Sequence, residues 1–171
     1  MSSYIHDSAM RLFRRYKTRD PFDILSAMQI NVFETDSFKA LKGYCFLSNR
    51  IFYVGISGCL PEEEKKVVAA HELGHIVLHK KLLSVAPMHD TMLYRMSDKT
   101  EYEANLFAAD LLLDDEDVLN ASCEEDQDYF SLCRKLYVSP ELMSFKLFSL
   151  IRRGHDALRL PLEPEGGFLK K

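Results

Sequence analysis

The chain has 171 residues, 47% hydrophobic and 28% charged, with a formal net charge of −4. That is ordinary globular composition, enough for one core with a small appended subdomain. The slightly acidic balance excludes a general attraction to nucleic acid or acidic membrane, and no run approaches the roughly 18 apolar residues of a membrane span.

Residues 3–17 read as a helix, with Tyr4, Ile5, Met10, Leu12 and Phe13 as apolar contacts. Within the first thirty residues Arg11, Arg14, Arg15, Lys17 and Arg19 interrupt any signal-peptide core, so a cytoplasmic protein is expected. Cys45, Cys59, Cys123 and Cys133 form no C-x-x-C pair and read as reduced thiols. Asp20-Pro21 opens a second, short helix with Ile24, Leu25 and Met28 inward. Ile30–Phe33, Gly43–Leu47 and Ile51–Ile56 are β-branched or aromatic runs, and Ser48-Asn49-Arg50 reads as the hairpin turn between the last two. These predict a small, mostly antiparallel sheet of about three strands packed on helices.

Pro61-Glu62-Glu63-Glu64 is a helix start, with acids at the positive end of the dipole. The helix it opens is expected to reach about Lys81. Residues 84–97, with Pro87, Met88, Met92 and Met96, show no clean period and read as a loop over the site. A further helix starts near Asp98 and runs through E-Y-E-A-N-L-F-A-A-D-L-L-L. After an acidic loop, Asp114–Asp117, come helical stretches over 126–136 and 140–152, then an irregular tail. The class is α+β. The expected division is a first, α+β domain over 1–120, a helical subdomain over 121–153, and a tail over 154–171.

The chemistry concentrates in V-V-A-A-H-E-L-G-H-I-V-L-H, residues 67–79. On a helix His71 and His75 lie one above the other, so two imidazoles can grip one ion from the same side. Glu72, beside the first histidine, then points toward a water in the ion's open position. Apolar residues cover most of the circumference, which marks a buried helix. Its only polar side chains, His71, Glu72, His75 and His79, fall within a sector of roughly 100°. Burying four such groups together costs several kcal/mol unless something satisfies them, and a metal ion with its water would. Gly74 costs about 1 kcal/mol of helix propensity, which points to close approach of a neighbouring segment.

Catalytic zinc normally takes three protein ligands and a water. His79 lies a further turn along, and three turns are too long for one ion to be held by all three histidines; it is expected to support a ligand, face substrate or simply sit at the helix edge. On the later helix Ala104, Asn105, Ala108 and Leu112 lie within about 60° of Glu101. A carboxylate in that small apolar face needs a partner, so Glu101 is the expected third ligand. Asn105, one turn on, is placed to orient a ligand by hydrogen bonding. Glu103 shares its side with Leu106 and Asp110, and Thr100-x-x-Glu103 also matches a capping box.

Taken together, H-E-L-G-H-I-V-L-H and E-Y-E-A-N-L-F-A-A-D-L-L-L resemble the ImmA/IrrE family of metallopeptidases, over roughly residues 20–152. The resemblance implies a zincin-like fold, with His71, His75 and Glu101 on the metal and Glu72 as acid/base. It implies that the chain cuts a partner helix-turn-helix transcriptional repressor and so switches on mobile-element or stress genes. Many members follow L-L with M-P; here Leu112-Leu113 runs into Asp114-Asp115. The segment Tyr129–Leu150 is similar to the family's helix-turn-helix-like tail, but Lys135, Lys146, Arg152 and Arg153 make too thin a basic face for reading DNA, and a packing or partner-docking role is expected.

The expected activity is therefore a zinc-dependent endopeptidase, although imidazole–carboxylate sites also accept manganese or iron. His79 and Tyr94 are further candidates to stabilise the oxyanion. The rival reading is a metal-stabilised module that sequesters a repressor or antitoxin without cutting it.

Overall fold

The computed structural model describes residues 2–37, 41–85, 98–123, 128–155 and 158. The described elements run α1 (Ser2–Tyr16), α2 (Pro21–Ala27), β1 (Asn31–Thr35), β2 (Gly43–Ser48), β3 (Ile51–Ser57), α3 (Glu62–Leu78), α4 (Lys80–Val85), α5 (Asp98–Leu112), α6 (Asp115–Ser122), α7 (Tyr129–Lys135) and α8 (Pro140–Arg152). The α+β class expected from the sequence is what the chain adopts. Among the described residues no helix is long and apolar enough to cross a membrane.

The local starts follow from cap chemistry. Asp20 caps α2 by accepting from the Phe22 amide, with Pro21 in the first turn. Ser139 and Pro140 do the same for α8. Arg19 closes the far end of α5: its guanidinium donates to the carbonyls of Asp110 and Leu111 at 3.3 and 2.9 Å and pairs with Asp114.

The sheet has strand order β1-β3-β2. The expected hairpin is present, with Ser48 opposite Ile51. Asn49 and Arg50 both have positive φ, 49° and 65°, as a two-residue turn matched to the strand twist requires. The sheet is mixed: β2 pairs antiparallel with β3, but β1 runs parallel to it. Register puts Gly43, Cys45 and Leu47 on the same face as Val54 and Ile56. Val54, Ile56 and Cys45 belong to the main core, together with Val68, Ala69, Leu73 and Phe107 from α3 and α5.

Three sequence expectations need correction. Tyr4 is exposed, whereas α1 buries Ile5, as expected, and Ala9. The helix expected to reach Lys81 ends at Leu78, with His79 at its C-cap (φ −117°) and α4 beginning at Lys80. Asp114–Asp117 is not a loop. Asp114 caps α6 by accepting from the Glu116 amide at 2.8 Å, and Asp115, Glu116 and Asp117 form its first turn. Acids there face the positive end of the helix dipole, so the same charges that suggest solvated coil also favour a helix start. Of the expected loop over 84–97, all but its first two residues lie outside the described residues.

A smaller cluster joins Val118 and Ala121 of α6, Leu132 and Cys133 of α7, and Met143, Leu147 and Leu150 of α8. Leu142 and Phe145 of α8 belong to the main core, so α8 is shared by both clusters. Behind α5, an ionic network ties the helices together. Asp110 is fully buried and accepts from Ser149 at 2.8 Å, with Lys146 at 3.4 Å and His6 at 3.5 Å. Lys146 and Arg153 also pair with Asp115. Burial works against the Asp115 carboxylate, but hydrogen bonds from Arg153 and Lys146 outweigh it and hold its pKa well below the usual range.

Gly74 sits where α3 meets α5. A Cβ there would lie 3.2 Å from both Cα and O of Ala104 and 3.1 Å from Phe107. Gly74→Val is therefore expected to push the helices apart and to destabilise the fold by about 1–3 kcal/mol. Urea denaturation measures this; a variant as stable as the parent would show that the contact yields freely.

Candidate metal centre

α3 and α5 face each other with their polar residues between them. His71, Glu72 and His75 come from α3, Glu101 and Asn105 from α5, and all five are buried. The Nε2 atoms of His71 and His75 lie 2.9 Å apart. Glu101 spans the pair, with Oε2 at 3.5 Å from His71 Nε2 and Oε1 at 3.5 Å from His75 Nε2. The outer nitrogens are engaged too. His71 Nδ1 is 2.7 Å from Asn105 Oδ1. An amide oxygen only accepts, so His71 Nδ1 carries a hydrogen, and its Nε2 is the atom that faces Glu101. His75 Nδ1 is 3.3 Å from His79 Nδ1, and His79 Nε2 is 2.9 Å from Glu103 Oε2.

Glu72 lies to one side of this group, against the sheet. The Cys45 thiol of β2 hydrogen-bonds its carboxylate. A Cβ on Gly43 would stand 2.3 Å from Val68 Cγ1 and 3.4 Å from Glu72 Oε1, so the start of β2 presses on this turn of α3. Burial pushes the Glu72 pKa up, against the opposing pull of His71 and Cys45. Burial and the neighbouring carboxylates push the Cys45 thiol well up, so it stays a protonated donor.

The structure thus brings His71, Glu72, His75, His79, Glu101, Glu103 and Asn105 into one connected group. Tyr94 lies outside the described residues. Sequence reasoning missed Gly43 and Cys45. Strand alternation puts both on one face, but nothing local says that this face meets Glu72.

Two closely packed helices carrying H-E-x-x-H and a facing glutamate, beside a small sheet, make this group a candidate metal centre. The model of the Peptidase_M78 family, described as the IrrE N-terminal-like domain, matches residues 26–148, and the chain belongs to that family. Over 111 residues it is 35% identical to uncharacterized immunity region protein 2 of Bacillus phage phi105, a match covering 65% of this chain and 69% of that protein. Over 53 residues it is 40% identical to metallopeptidase ImmA of Bacillus subtilis (strain 168), covering 31% of this chain and 30% of that protein.

The family implies a metal ion, and the donor set here fits one. Two imidazole nitrogens and a carboxylate oxygen lie within 4.8 Å of one another. Donors about 2.0–2.1 Å from a tetrahedral ion stand roughly 3.3 Å apart. The separations of 2.9 and 3.5 Å bracket that figure. His6, Asp110 and Asp115 form a second histidine–carboxylate group, but Lys146 and Arg153 already supply its positive charge.

In the metal-free chain burial works against a charged His71, yet Glu101, Glu72 and Asn105 together outweigh it and raise its pKa. A cation must displace that proton. Metal affinity is therefore expected to fall as pH drops through the imidazole range, by at least roughly tenfold per pH unit below the raised His71 pKa. Chelator competition across that range measures it, and a flat profile would contradict the assignment.

Proposed function

We propose that this chain is a zinc-dependent endopeptidase whose substrate is a helix-turn-helix transcriptional repressor, and that cutting it relieves repression of mobile-element or stress genes. The observation that carries the reading is the convergence of His71 Nε2, His75 Nε2 and the Glu101 carboxylate beside the buried Glu72. Family membership supports the peptidase. The similarity to a phage immunity region protein and to a metallopeptidase named ImmA supports a role beside a repressor.

When bound, the ion supplies Lewis acidity, polarising the scissile carbonyl and lowering the pKa of water to about 7. The remaining work falls to the chain. His71 and His75 offer Nε2 lone pairs, with the His71 ring fixed by Asn105. Glu101 brings the negative charge that makes a divalent ion preferable to a proton. Glu72 takes the proton of the attacking water on its carboxylate and hands it to the departing amine nitrogen. Burial raises the Glu72 pKa above the usual carboxylate value, which makes its carboxylate a better proton acceptor. The Cys45 thiol and the tight approach of Gly43 hold its carboxylate in place.

Glu72→Gln keeps the shape and removes the proton acceptor. It is expected to lower cleavage of a co-expressed neighbouring repressor by about 10²–10⁴-fold while zinc still binds. Gel analysis of the repressor reads the outcome. Unimpaired cleavage by the variant rejects the assignment of Glu72. A repressor that the zinc-loaded parent binds but leaves in one piece replaces the peptidase with a sequestering module.

A further inference from the structure

We propose that Glu103 and His79 are positioning residues, forming a relay Glu103–His79–His75 that fixes the tautomer of His75 and strengthens its hold on the metal. The proposal rests on the metal-centre reading above. It starts from two contacts that no ion-binding role explains: His79 Nε2 to Glu103 Oε2 at 2.9 Å, and His79 Nδ1 to His75 Nδ1 at 3.3 Å. His79 is buried, at the position where α3 stops. Its ring is 5.4 Å from that of His75, centroid to centroid.

Proton counting gives the relay a direction. An ionised carboxylate only accepts, so His79 Nε2 carries a hydrogen. In a neutral ring Nδ1 is then bare and must accept, so His75 Nδ1 carries a hydrogen as well. That leaves His75 Nε2 bare, and it is this atom that faces His71 and Glu101. The opposite assignment would set two lone pairs against each other at the His75–His79 contact, whereas the Nε2 atoms of His75 and His71, 2.9 Å apart, are the pair a cation would take up. Lys99 Nζ lies 3.9 Å from the other oxygen of the Glu103 carboxylate.

The two histidines of the centre are thus backed differently. His71 leans on a neutral amide, Asn105, whereas His75 is backed by a full negative charge passed through a second imidazole. A charged partner makes an imidazole a stronger electron donor than an amide does. The stop of α3 at Leu78 acquires a reason here. His79 takes up a C-cap conformation with its ring between His75 and α5.

The test uses the full chain and zinc alone. Zinc affinity is measured by chelator competition for the parent, Glu103→Gln, His79→Phe and the double variant, with the absorption spectrum of the cobalt-substituted protein and the metal-free melting temperature alongside. Each single variant is expected to bind zinc about 10–100-fold more weakly, with a shifted cobalt spectrum and little change in metal-free melting. Because both act through one path, the double variant is expected to lose no more than the weaker single variant. Single variants that bind as tightly as the parent overturn the relay and leave the metal centre standing, as do losses that multiply in the double variant. A parent that binds no zinc removes the metal centre and the relay with it. Glu103→Gln is isosteric, so its affinity and cobalt spectrum decide the matter even if His79→Phe does not fold.

Discussion

The near-contact of the α3 and α5 backbones at Gly74 and Ala104 is the constraint on which the rest depends. A Cβ at position 74 would crowd Ala104 and Phe107 at 3.1–3.2 Å, so glycine lets the two helices come this close without a shift of either. At this spacing, side chains one turn to either side meet head-on, and His71, His75, Glu101 and Asn105 become mutual partners rather than isolated buried polar groups. Each would be costly to bury alone. Close approach and polar content therefore require each other. The sheet completes the enclosure, because Gly43 and Cys45 lie against the third side of Glu72.

α5 carries buried charge on two faces, and the two differ in balance. The rear face sets Asp110 and Asp115 against Lys146 and Arg153, with His6 and Ser149 filling in. Its charges cancel within the protein, so it acts as a strut between α1, α5, α6 and α8. The front face gathers Glu72, Glu101 and Glu103 around three histidines, and the cation paired with it among the described residues is the exposed Lys99, at the Glu103 edge. That asymmetry makes one cluster a candidate for chemistry and the other a structural tie. It also changes the view of the C-terminal helices. Two of the four basic residues expected on their surface, Lys146 and Arg153, are engaged within the rear network instead.

Much of this was legible in the linear pattern. The apolar surround of residues 67–79 with one polar sector identified the buried helix, and the small-residue face around Glu101 identified its partner. Both readings use periodicity alone, and α3 and α5 obey it. The hairpin was legible because its turn chemistry is local, and so were the caps at Asp20 and Ser139. The acidic run at 114–117 was misread because charge density by itself does not tell a solvated loop from the first turn of a helix; the Asp114 cap decides it.

What the chain order settled unaided is the set of groups that local spacing can align: two imidazoles a turn apart with a carboxyl beside the first, and an acid on the inward stripe of a later helix. Tertiary packing decided everything that depends on distance between segments remote in sequence. It turned His79 toward Glu103, brought Cys45 to Glu72, and ran β1 parallel to β3. The physical reason is that helical and strand periods fix the direction in which a side chain leaves its own element. Which neighbour it meets is set by how closely those elements pack.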